Sequence, residues 1–135
     1  MTETLTIDRS QEYDRREVER KLAQICDGLR RTIPARFRAA SLENWRATRD
    51  DQRDALTKAR VIAADRQMLA TRNLLFVGTV GTGKDHMAIG LLKCAAKAGL
   101  SARWYAGKDI YARIADSYRQ DAHESPREIY EELNR

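Results

Sequence analysis

The sequence predicts an α/β fold: a βαβα unit that opens a phosphate-loop core, preceded by N-terminal helices. Three observations carry that expectation. Leu74-Leu75-Phe76-Val77 is a short, continuous apolar run, the pattern of a strand buried on both faces. The glycine-rich stretch Gly78 to Gly83 follows directly, and a helical pattern follows it. A second short run, Ala102 to Ala106, then leads into a further helix, and strands alternating with helices in this order predict parallel members of one sheet.

The chain has 135 residues, 42% apolar and 33% charged, which is the composition of a globular domain rather than a disordered or fibrous one. At this length a core forms without help from disulfides or metal. No apolar run approaches the roughly 18–20 residues of a membrane span. The first twenty residues are charged throughout, unlike a signal peptide, and no membrane association is expected. Cys26 and Cys94 stand far apart with no CxxC pattern, which argues against zinc and for two reduced thiols. Together these features predict a cytoplasmic protein. The net charge is +5, and the basic excess lies mainly before Asn73. Its densest cluster is Arg30, Arg31, Arg36 and Arg38. Arg36 and Arg38 are candidate contacts to nucleic-acid phosphates, although such a cluster is also an ordinary solvated face.

The elements follow in order. From about Asp8 to Arg31, Val18, Leu22, Ile25 and Leu29 recur at helical spacing. This stripe suits packing on its own domain or docking of a partner protein. Gly28 and Pro34 punctuate its end, and Ile33 to Trp45 reads as an irregular connector. Thr48 to Asp51 fits a capping box for a second helix carrying Ala55, Leu56, Ala59, Ile62 and Ala63. After the first strand and the glycine loop, Asp85 to Ala98 is a helix with Gly99 in the C-cap region. Asp109 to Tyr118 is the next helix. Ser125-Pro126-Arg127-Glu128 is a capping box that opens a terminal helix with Ile129, Tyr130 and Leu133.

Gly78-Thr79-Val80-Gly81-Thr82-Gly83-Lys84 fills the first seven positions of the GxxxxGK[ST] phosphate loop. Its glycines allow backbone N–H groups to turn toward phosphate oxygens. The helix behind it points its positive end at the same place. Lys84 supplies an ammonium for the outer phosphates. The eighth position, normally a magnesium-ligating hydroxyl, is Asp85. A carboxylate can ligate magnesium, but its charge repels phosphates, so binding without metal should weaken.

At these residues the chain resembles the DnaC/IstB-like AAA+ ATPases, which include helicase loaders and transposition helper ATPases. The resemblance runs from about Ile33 to Leu133, through IPARFRAASLENW, NLLFVGTVGTGKDHMAIGLLKCAAKAGL and ARWYAGKDIYARI. The family usually reads GTGKTH, so Gly81, Thr82, Gly83, Lys84 and His86 match and Asp85 departs. The resemblance implies an N-terminal helix over 1–32 that serves as a partner-binding extension. It implies an AAA+-like nucleotide-binding domain over 33–135. ATP would sit on Gly78, Thr79, Val80, Gly81, Thr82, Gly83, Lys84, Asp85 and His86; Asp85, where the chain departs from the family, is a candidate magnesium ligand on its carboxylate chemistry alone. A replicative helicase or a transposase would be the partner, and single-stranded DNA a further one. His86 reads as a structural residue at the helix start rather than a base.

The family's acidic Walker B strand, sensor and arginine finger have no counterpart in the chain. The expectation is therefore the N-terminal part of an ATPase, able to bind ATP but not to hydrolyse it alone. A non-enzymatic module that binds DNA and protein, with a vestigial phosphate loop, is the alternative. A small phosphate-loop kinase is disfavoured because it needs lid arginines and further strands.

Overall fold

A computed structural model describes residues 9–135. Six α-helices and one 3₁₀ turn make up its regular structure: α1 (Arg9–Thr32), the turn Ala35–Phe37, α2 (Asp50–Ala63), α3 (Arg66–Thr71), α4 (Lys84–Lys97), α5 (Gly107–Asp116) and α6 (Pro126–Leu133). No strand occurs among the described residues.

The α/β fold with a βαβα unit is thus corrected to an all-helical one. The physical reason lies in what a strand needs. A strand exists through backbone pairing with a neighbour, and neither predicted strand finds one. Leu75 and Val77 are 88% and 85% exposed, whereas Phe76 between them packs on the α2–α4 core. In the second predicted strand the Trp104 N–H donates to the Thr32 hydroxyl at 2.9 Å, a contact to the end of α1 rather than to another strand.

The helices form where the sequence places them, with small shifts. α4 is the centre of the fold. Its apolar residues serve two clusters. Ile89 and Ala96 pack with Leu29 and Ile33 at the end of α1 and with Ala40. Met87 and Leu91 pack with Leu42, Trp45 and Ala59. Helix α4 ends in a Schellman motif: Gly99 N–H donates to Ala96 O and Leu100 N–H to Ala95 O, both at 3.0 Å. Gly99 takes φ +81°, a conformation that costs a residue with a Cβ.

Two starts differ from expectation. For α2 the box partner is Gln52, not Asp51. Its side-chain oxygen accepts from Thr48 N–H at 2.9 Å and from Arg49 N–H at 3.2 Å. The N-cap is Arg49, whose guanidinium has no acceptor to return the bond. Helix α3 lies outside the sequence prediction. Asp65 caps it, accepting from Gln67 N–H at 2.8 Å and Met68 N–H at 3.2 Å. The box at α6 forms as read, with Glu128 accepting from Ser125 N–H at 2.7 Å. No described helix is long and apolar enough to cross a membrane.

Candidate phosphate site at the start of helix α4

The segment Gly78–Gly83 curls onto the side chain that follows it. The Lys84 ammonium donates to Gly78 O at 2.9 Å and to Thr79 O at 2.7 Å. The Thr82 hydroxyl donates to Thr79 O at 2.9 Å. Val80, at the tip, is 99% exposed. Gly83 is the N-cap of α4 with φ +83° and ψ +20°, a left-handed turn that aims the chain into the helix. Its carbonyl accepts the first bond of the helix, from Met87 N–H at 3.0 Å. The N–H groups of the first turn have no intrahelical acceptor, and the positive end of a 14-residue helix lies with them.

A cavity of about 240 Å³ opens beside this loop, lined among others by Trp45, Gln52, Thr82, Gly83, Lys84 and Met87. Arg49 and Asp51 stand at its edge as a bidentate pair, at 3.0 and 2.5 Å. That pairing holds the exposed Asp51 carboxyl below the usual range.

The connector is fastened along α4. The Trp45 indole N–H donates to Gly83 O at 3.1 Å. His86 Nε2 lies 2.7 Å from Asn44 Oδ1, 2.9 Å from Ser41 O and 3.3 Å from Ser41 N, contacts that tie the ring to the connector. The Lys93 ammonium donates to Arg38 O at 2.5 Å and Ala40 O at 2.7 Å. Burial pushes its pKa down.

The sequence-predicted residues therefore divide. Gly78, Thr82, Gly83 and Lys84 line one cavity. His86 turns to the connector instead. Asp85 is exposed in the first turn of α4, and no group of three or more His, Cys, Asp or Glu that could hold a metal occurs among the described residues. Arg36 and Arg38 lie at the 3₁₀ turn, both exposed, with the Arg36 guanidinium 4.7 Å above the Phe37 ring. Trp45, Arg49 and Gln52 were not singled out in the sequence as site residues. Trp45, one of two aromatics in the connector with Phe37, was the one available signal.

The donor chemistry suits phosphate: an ammonium, a hydroxyl and free amides at a positive helix end. For magnesium, Asp85 offers one hard oxygen ligand, and this ion is commonly held by one or two carboxylates together with phosphate oxygens and water. When bound, the ion would supply charge neutralisation on the phosphates.

Comparison of the chain with protein-family models, with curated proteins and with solved structures returns no match.

Proposed function

We propose that this protein binds ATP by its phosphates at Gly78–Lys84 and the first turn of α4, with Asp85 as the magnesium ligand, and does not hydrolyse it alone. The observation that carries this reading is the Lys84 ammonium, held against the loop by the Gly78 and Thr79 carbonyls. A cation fixed beside free helix amides is prepared for an anion of several charges. The cavity is smaller than the roughly 300–1,000 Å³ of sites that enclose whole ligands, which suits the phosphate end of a nucleotide. The resemblance to helicase loaders and transposition ATPases makes a replicative helicase or a transposase the proposed partner. Arg36 and Arg38 are the proposed contacts to single-stranded DNA.

Calorimetric titration with ATP, with and without magnesium, tests the reading. Binding to the wild-type chain that Lys84→Ala abolishes is the expected result. Equal binding to both proteins would contradict it. A second reading, a module that binds DNA or protein through its surface, is favoured by the exposed Arg30, Arg31, Arg36 and Arg38. Salt-dependent DNA binding in the absence of any ATP binding would select it.

A further inference from the structure

Trp45 connects the two halves of the proposed site. Its ring is 9% exposed and belongs to the cluster formed by Leu42, Ala59, Met87 and Leu91. Its indole edge lies against Gly83. A Cβ at Gly83 would stand 2.5 Å from Trp45 Nε1 and 3.3 Å from Cε2, so that no larger residue fits there without displacing the indole. The indole N–H reaches the Gly83 carbonyl at 3.1 Å, and the same carbonyl closes the first turn of α4. Gly83 is thus held from two sides, by its own helix and by a ring anchored in the core. The connector that carries Trp45 is itself fastened to α4 by His86 and Lys93.

We infer that Trp45 is a positioning residue for the phosphate loop: its indole N–H fixes the Gly83 peptide, and with it the first-turn amides and Lys84, in the arrangement that receives phosphate. The inference rests on the ATP-binding reading above. It extends that site to a residue thirty-eight positions upstream.

The test uses ATP with magnesium as the probe and the full chain. Trp45→Phe keeps an aromatic ring but removes the donor. One neutral hydrogen bond corresponds to about a five-fold change in equilibrium, so ATP affinity measured calorimetrically, well below the melting temperature, should fall about five-fold. The chain has two tryptophans, and its two indole ¹H–¹⁵N cross-peaks supply the second measurement. ATP should move the Trp45 signal and leave that of Trp104, which packs with the α1 cluster. If Trp45→Phe does not fold, Trp104→Phe assigns the peaks and the wild-type shift decides. Binding of ATP with unchanged affinity in Trp45→Phe, or with an unmoved Trp45 indole, overturns the inference and leaves the ATP-binding reading intact. No ATP binding by the wild-type chain overturns both.

Discussion

Gly90 of helix α4 lies directly against the backbone of Leu42: a Cβ at position 90 would stand 2.9 Å from the Leu42 nitrogen and 3.0 Å from its Cδ2. The missing side chain is what lets the connector run flat along the helix. Two effects oppose each other in Gly90→Ala. Helix propensity favours alanine by about 1 kcal/mol. Overpacking against a main-chain atom costs roughly 1–3 kcal/mol, and backbone cannot rotate away as a flexible side chain would. The clash outweighs the propensity, so Gly90→Ala should lower the melting temperature by about 3–8 °C. Calorimetric melting of the two proteins checks this, and an unchanged or raised midpoint would show that the contact is loose.

No strand pairs among the described residues, which gives a second prediction. Amides of Leu75 and Val77 should exchange with solvent at close to unprotected rates, while those of Ile89 and Ala96, which are 0% and 1% exposed within α4, should be the slowest. Hydrogen exchange followed by NMR reads both in one experiment. Protection at Leu75 and Val77 would mean that this segment is paired after all.

These two segments also mark how far the sequence was legible. Helices α1, α2, α4 and α6 were readable because each carries its own signal: the Val18–Leu29 stripe, the Ala55–Ala63 stripe, the Gly99 cap and the Ser125–Glu128 box. A helix closes its hydrogen bonds within itself, so local pattern suffices. A strand does not. Leu74–Val77 has the composition of a buried strand, yet composition cannot supply the neighbour whose backbone it needs. The motif at Gly78–Lys84 was legible because seven consecutive residues specify it. Trp45, Arg49 and Gln52 were not, since they reach the cavity through packing across α2 and α4, which no spacing in the sequence reports.

Asp85 should make phosphate binding depend on the cation. A carboxylate about 4 Å from a phosphate oxygen costs about 1 kcal/mol in water and more where solvent is excluded. Asp85→Ser restores the hydroxyl of the usual motif. It should raise ATP affinity in EDTA by about tenfold and change the affinity in magnesium far less. Paired titrations in EDTA and in magnesium read the difference. An equal change under both conditions would place Asp85 outside the reach of the phosphates.

Glu132 predicts how the C-terminal helix responds to acid. Arg113 donates to it at 2.5 Å, Tyr105 at 3.2 Å and Arg103 at 3.3 Å, while Arg113 also pairs with Glu124. The Arg113 guanidinium, first of these, holds the Glu132 carboxyl below the ordinary glutamate range. A carboxyl with a depressed folded-state pKa stabilises the fold above its ordinary value of about 4.3, and that contribution is lost as pH falls through the folded value. Glu128 shifts the same way through the Ser125 backbone N–H. The melting temperature should therefore decline from about pH 4.3 downward, and Glu132→Gln should flatten the decline. A Glu132→Gln protein with the wild-type pH profile would rule out this network as the cause.

Phosphate binding at the start of α4 is the proposal on which the others depend. Backbone ¹H–¹⁵N mapping of the full chain during titration with ATP and magnesium tests it most directly. Saturable shifts concentrated at Gly78–His86, with Trp45 among them, are the expected result. Shifts confined to Arg30–Arg38, or none at saturating ATP, would contradict it.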